Sequence, residues 1–173
     1  TPIIGALGLI ENINRRCTFD FKKAGDLIVL IGGSSCWDTV EGLAGSEYQR
    51  LFNSVIAGQP RLNIDSELRL QRVCRAAINK NLLNSAHDCS IGGIGVAVSE
   101  CAISGGIGAR LYTDLPERWD AALFGETQTR VVVSLSPGKL NELEQIANNE
   151  TVPIKVIGDV EGEELIFGDF NIN

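Results

Sequence analysis

His87, Asp88 and Ser90 stand within four residues of one another, and Gly92-Gly93 follows directly. A histidine beside a carboxylate is the pairing of a general base with a group that can orient it. A double glycine ahead of a helix combines close backbone approach with free N–H groups, the chemistry of an anion site. The helix is written in the residues that follow. Ile94, Ala97, Val98, Cys101 and Ala102 recur at i, i+3, i+4, i+7 and i+8, the spacing that buries one helical face. A second Gly-Gly-Ile-Gly, residues 105–108, closes it in the manner of a left-handed C-terminal cap. Only the first copy therefore points to chemistry, with Ser90, Gly92 and Gly93 as candidate phosphate-binding residues and His87 and Asp88 as candidate supports. Each also has a plainer role. Neighbours in an extended segment face opposite sides, so separate structural hydrogen bonds are favoured over a joined base for His87 and Asp88. Ser90 suits a helix cap better than a nucleophile, since His87 is the only histidine and no other could activate it.

A second group lies at Gly125-Glu126-Thr127-Gln128-Thr129-Arg130, a polar loop running into the β-branched Val131-Val132-Val133. Gly125, Glu126, Thr127 and Arg130 are its candidate ligand-binding residues. Arg130 carries a rigid, permanently charged fork and is the best phosphate group of the set, with Arg110 as an alternative assistant. A loop arginine before a buried strand is expected to reach outward, so its loss should cost ligand affinity more than stability. An ion pair between Glu126 and Arg130 that shapes the loop is the competing expectation. Gly45-Ser46-Glu47-Tyr48 reads as a glycine turn before a short helix rather than an anion cradle. Trp37 and Trp119 read as core or interface anchors. No residue is assigned a catalytic role, and no carboxylate cluster suits a metal beside the glycines.

The elements that must position these loops alternate. Ile3 to Ile10 and Asp26 to Ile31 read as strands, the second a continuous apolar run buried on both faces. Gly32-Gly33-Ser34-Ser35 breaks it. Residues 32–62 form the longest irregular stretch, with a short helix only at Glu47–Phe52, and long loops in compact domains tend to carry function. Leu70, Val73, Cys74, Ala77 and Ile78 mark an amphipathic helix with Asp65 as its N-cap and Asn79 and Asn81 at its end. A helix over 92–104, a strand Arg110–Leu115, a Pro116 break and a helical turn around Trp119–Leu123 follow. The last third reads as strand 131–135, helix 138–148 with Leu140, Leu143 and Ala147 on one face, and strand Ile154–Val160. That is a β-α-β unit, with Pro153 tolerated at the start of its final strand. Leu165 to Phe170 reads as a strand and turn. The sum is an α+β (α/β mixed) domain.

Composition bounds the rest. A chain of 173 residues with 44% hydrophobic content buries one sizeable core, so 1–173 reads as a single domain. A net charge of −7, with no Lys/Arg run, argues against a nucleic-acid partner. No apolar run is long enough to span a bilayer and no signal sequence opens the chain, so a membrane partner is not expected. Five cysteines, Cys17, Cys36, Cys74, Cys89 and Cys101, lack any C-x-x-C pair and read as reduced core thiols of a cytoplasmic protein. With no methionine and threonine at position 1, the chain reads as a piece of a longer polypeptide, and the abrupt end at Asn173 suggests a short native extension.

Segments 85–95 and 122–135, with Thr1-Pro2-Ile3-Ile4-Gly5-Ala6-Leu7-Gly8-Leu9-Ile10-Glu11-Asn12 and Ala44-Gly45-Ser46-Glu47-Tyr48, resemble in order the last domain of the phosphoribosylformylglycinamidine synthases, of the small bacterial type. The resemblance covers nearly the whole chain. It implies a three-layer α/β/α fold with a mixed sheet and partly ferredoxin-like topology, as in the aminoimidazole ribonucleotide synthetase C-terminal domain. It also implies the reaction of the whole enzyme: formylglycinamide ribonucleotide, ATP and glutamine-derived ammonia give the amidine, ADP and phosphate. ATP phosphorylates the amide oxygen and ammonia displaces the phosphate. The implied cofactors, ATP and magnesium, belong mainly to the enzyme's two ATP-fold domains, so this piece should bind neither tightly and should be inactive alone. The implied partners are those other domains, a glutaminase subunit and a small bridging subunit. The His-Asp-x-Ser and Leu-Phe-Gly-Glu forms match the second of the enzyme's two domains of this type. Two departures stand out: Ile91 replaces the family's usual aspartate, and Thr127 and Thr129 replace serines, keeping the hydroxyls. Two further readings stand beside this one: a vestigial pocket in a domain that stabilises the pseudo-dimer, which Ile91 favours, or a domain of a sister enzyme of the same fold, such as thiamine-phosphate kinase or selenophosphate synthetase. The Gln128-Thr129-Arg130 ending argues against the sister enzymes.

Overall fold

The computed structural model describes residues 3, 5–33, 40–54, 56–112, 118–168 and 170–172. Trp37, Cys36 and the Ser34-Ser35 break fall outside them, as do Pro116 and most of the second half of the strand expected at 110–115.

Seven strands form one mixed sheet: β1 (Leu27–Gly32), β2 (Ser85–Asp88), β3 (Ala109–Leu111), β4 (Arg130–Leu135), β5 (Ile154–Val160), β6 (Leu165–Phe167) and β7 (Phe170–Ile172). Their order across the sheet is β2-β4-β1-β5-β3-β6-β7. All neighbours are antiparallel except β3 and β6. The apolar run of β1 takes the middle because it can be buried on both faces. Ile28 and Leu30 enter one core and Val29 and Ile31 the other, the alternation of a strand between two layers.

The first core is closed by α3 (Gly93–Gly105) and α4 (Trp119–Phe124), the second by α2 (Ile64–Asn79) and α5 (Leu140–Asn149). The fold is thus three layers, α/β/α. Because β1 is antiparallel to both β4 and β5, those two strands run parallel with β1 between them. The expected β-α-β unit, β4-α5-β5, is therefore split around a third strand, the ferredoxin-like arrangement.

Local differences from the sequence reading have physical reasons. The helix α2 is capped by Asn63, whose side chain accepts from the Ser66 N–H at 2.9 Å; Asp65 sits inside the first turn, where a carboxylate meets the positive helix end. Residues 137–139 form a 3-10 turn before α5, with Pro137 at its first position, where a backbone N–H would have no helical partner. The strand β2 lies in the approach to the double glycine and extends the sheet through β4. The strand expected over Ile3–Ile10 does not form among the described residues: 3 and 5–10 belong to no ladder, and a strand needs a neighbour's backbone to satisfy its own.

Candidate functional site

The two candidate loops meet at one end of the sheet, where β2 and β1 finish and β4 begins. Beyond β2, the Cys89 N–H donates to the Arg130 carbonyl at 3.0 Å and holds the loops together. Gly92 and Gly93 both adopt left-handed φ, +80° and +66°, and α3 starts at Gly93, three residues beyond Ser90. Ser90 is therefore not the helix cap; Gly92 is, and it has no side-chain hydrogen bond to offer. The Ser90 hydroxyl donates instead to the Asp88 carboxylate.

His87 is turned away from this loop. Its Nδ1 lies 2.8 Å from the Asp88 carbonyl and its Nε2 3.0 Å from the Glu100 carboxylate on α3. The edge of Phe19 closes on its ring at a centroid distance of 5.1 Å. The same Nδ1 also lies 3.6 Å from an Asp88 carboxylate oxygen, so the two side chains adjoin despite strand pleating, while the contact of Nε2 with Glu100 holds the ring against α3.

The second loop, 125–129, is fixed from four sides. The Gly125 N–H donates to Ala121 at 2.9 Å, the Glu126 N–H to the Gly42 carbonyl at 2.7 Å, and the Gly33 N–H to Thr129 at 2.9 Å. The fourth hold is Arg130, and it corrects two expectations. Arg130 does not reach outward: it is 3% exposed, with Nε donating to the Thr127 carbonyl at 3.0 Å and Nη2 to that of Gly125. Nor does it pair with Glu126. Its Nη1 is buried without a partner among the described residues. Burial pulls the guanidinium pKa down from its ordinary value, while the neighbouring Cys89 thiol acts against that change. Burial in turn pushes Cys89 up to about 11, against the pull of Arg130. The described cysteines 17, 74, 89 and 101 are free thiols.

Glu126 has taken the place an anion was expected to fill. One of its carboxylate oxygens accepts from the Gly92 N–H at 3.0 Å and from the Glu47 N–H at 2.9 Å. It thereby ties α3 to α1 (Glu47–Asn53), whose own N-cap is the buried Ser46, as the glycine-turn reading of 45–48 expects. Tyr48 stacks on Phe124 at 5.4 Å and 11°, and Trp119 meets the same ring edge-on. Replacing Glu126 with alanine is expected to cost about 2 kcal/mol, since two N–H groups lose a charged acceptor in a half-buried place. Glu126→Gln keeps an oxygen there and should lose about half as much. Thermal melts check this, and alanine and glutamine variants melting with the wild type would remove Glu126 from the architecture.

A cavity of about 390 Å³ opens beside this junction, between loop 125–128 and residues 41–61. Glu126, Thr127 and Gln128 line it together with Glu41, Gln59 and Arg61. The 3-10 turn Val40–Leu43 sits close enough that a Cβ on Gly42 would lie 2.7 Å from the Thr127 hydroxyl. Glu41, Gln59 and Arg61 were missed as candidates, although the length of the irregular 32–62 stretch was a signal for them. Arg110 is not brought to this place; it pairs with Glu161 beside β3 and lines a separate cavity. Among the described residues no three His, Cys, Asp or Glu side chains group as metal ligands. No helix among the described residues is long and apolar enough to cross a membrane.

Residues 23–169 match the family described as AIR synthase related protein, C-terminal domain. The chain is 42% identical over 95% of its length to phosphoribosylformylglycinamidine synthase subunit PurL of Alkaliphilus metalliredigens, covering 22% of that protein. It is 38% identical over 96% of its length to the subunit of the same name from Caldanaerobacter subterraneus, again covering 22%. The chain thus spans about a fifth of the length of these curated relatives. Among solved structures, Thermotoga maritima PurL complexed with FGAR has the same fold, with a TM-score of 0.76 and 23% identity over 92% of this chain and 29% of that one.

Proposed function

The chain belongs to the AIR synthase related protein, C-terminal domain family, and from that premise we propose that it is the second domain of this type in a phosphoribosylformylglycinamidine synthase subunit. Identity of 42% running through nearly the whole chain is the observation that carries the reading. The whole subunit then converts formylglycinamide ribonucleotide to its amidine with ATP and glutamine-derived ammonia in the cytoplasm. Its partners are the other domains of the same polypeptide, a glutaminase subunit and a small bridging subunit. Magnesium and most of the ATP contacts then belong to the ATP-fold domains of that polypeptide.

In this reading the domain supplies a wall of a ligand site. Glu126 and Thr127 face the cavity, while Ser90, Gly92, Gly93, Gly125 and Arg130 hold that wall in place. Arg61 is the one cation among the described cavity-lining residues and is the group for a ligand anion. In the intact subunit Arg61→Ala is expected to raise a substrate or ATP KM about tenfold, the loss of one charge-assisted hydrogen bond of about 1.5 kcal/mol, with kcat and the melting temperature unchanged. Unchanged kinetics would favour the second reading, a vestigial pocket in a domain kept for the stability of the assembly. Ile91, 70% exposed at the mouth of α3, and the seat taken by Glu126 are the observations on that side.

The 173 residues alone are expected to make no amidine from ATP, substrate and ammonia. Turnover by the purified chain above a denatured control would overturn the domain reading.

A further inference from the structure

Ile3, Leu7 and Leu9 are 98%, 106% and 89% exposed, and Ile10 and Ile13 are more than half exposed. Isolated exposed apolar side chains are ordinary, but an uninterrupted apolar segment turned wholly to solvent is a surface awaiting cover. Residues 3–10 contain no charge, and the apolar positions fall on both parities: Ile3, Leu7 and Leu9 on one, Ala6 and Ile10 on the other. A strand apolar on both faces belongs between two layers, not on a half-wet surface.

The glycines of the segment point the same way. A Cβ on Gly5 or Gly8 would meet nothing within 4 Å, and neither residue has a left-handed φ. Nothing in this domain requires them to be glycine. Glycine inside a strand marks a place where another backbone or side chain approaches closely, and that neighbour is not in this fold. Just beyond, Asn12 caps a 3-10 turn at Ile13–Arg15, its side chain accepting from Asn14 at 3.0 Å, which ends the extended run. The family match begins only at residue 23, yet similarity to the longer relatives covers 95% of the chain and so reaches into the segment before it.

We infer that residues 5–11, with Ile3, form a strand that adds to an open sheet edge in another domain of the longer polypeptide, covered by apolar side chains on both faces. The inference rests on the reading of this chain as part of a longer synthase subunit. The segment then joins two domains by backbone hydrogen bonds as well as by the chain itself, the β-augmentation mode of recognition acting within one polypeptide.

Hydrogen exchange of the intact subunit, read beside the 173-residue chain, tests this. Amides 5–10 are expected to exchange at least a hundredfold more slowly in the intact subunit, while β1 amides are protected in both samples. Gly8→Val should abolish that protection in the intact subunit and leave the melting temperature of the 173-residue chain unchanged, because its side chain meets open space there. Equal, fast exchange of 5–10 in both samples would overturn the inference. So would protection appearing in the 173-residue chain with a doubled mass in sedimentation, which would make the partner a second copy. Amidine synthesis by the same intact sample reports separately on the functional reading, so that failure of one is distinguishable from failure of the other.

Discussion

Gly93→Ala is expected to destabilise the domain by about 3–5 kcal/mol, lowering the melting temperature by roughly 10 °C or more for a chain of this size. Two effects combine. Gly93 has φ +66°, a conformation that costs an L-residue about 1–2 kcal/mol. Its added Cβ would also lie 2.4 Å from the Gly125 carbonyl oxygen and 2.7 Å from that of Leu123, both backbone atoms that cannot swing aside. The helix α3 would have to move off α4 or the 125–129 loop would have to lift, and either opens the first core. Two controls separate the causes. Gly106 has φ +63° but nothing within 4 Å of a Cβ, so Gly106→Ala should cost only the conformational part, about 1 kcal/mol. Gly138 has neither constraint, and Gly138→Ala should be neutral within about 0.5 kcal/mol. A Gly93→Ala protein melting within two degrees of Gly106→Ala would show that the close approach of the loop is not a feature of the domain.

Arg130→Ala is expected to cost about 3 kcal/mol of stability, the reverse of the affinity effect that its sequence context suggests. The side chain is buried and its guanidinium holds two carbonyls of the 125–129 loop. Removing it leaves both acceptors unsatisfied beside a void. Desolvation of an unpaired charge works in the other direction, which keeps the expected loss below the sum of those terms. Arg130→Met isolates the hydrogen bonds, because it restores most of the volume without the donors; about 2 kcal/mol should still be missing in chemical denaturation. Arg130→Lys keeps a charge but cannot span both carbonyls in one planar fork, and it should fall between wild type and methionine. A methionine variant as stable as the wild type would mean that the carbonyl bonds contribute nothing net. In each variant the loss should reach Glu126, since the loop that Arg130 holds is the one that presents this carboxylate to α1 and α3.

Much of the architecture was legible in local pattern. The continuous apolar run at 27–31 predicted burial on both faces, and β1 lies between two cores. The 3.6-residue recurrence of Leu70, Val73 and Ala77, and of Leu143 and Ala147, predicted the faces that α2 and α5 turn inward. Glycine pairs at 92–93 and 105–106 predicted the ends of α3. These succeed because periodicity, capping and left-handed turns are decided within a few residues of chain. Apolar pattern without a partner misled for the same reason: Ile3–Ile10 has the composition of a strand, but strand formation depends on a neighbour that sequence does not name.

The candidate site divides along the same line. The residue types were found from sequence: the double glycine, the Gly125–Arg130 loop and the suspect stretch 32–62 all line or support one end of the sheet. Their roles were not. Glu126 caps N–H groups that lie 34 and 79 residues away in the chain, Arg130 points into the protein, and Arg61 lines the same cavity as Thr127. Which carboxylate reaches which N–H, and which cation is buried rather than exposed, follows from how β1, β2 and β4 bring their ends together. Local sequence determined what each segment can become; only the closed sheet decided which of its polar groups answer one another and which are left for a ligand.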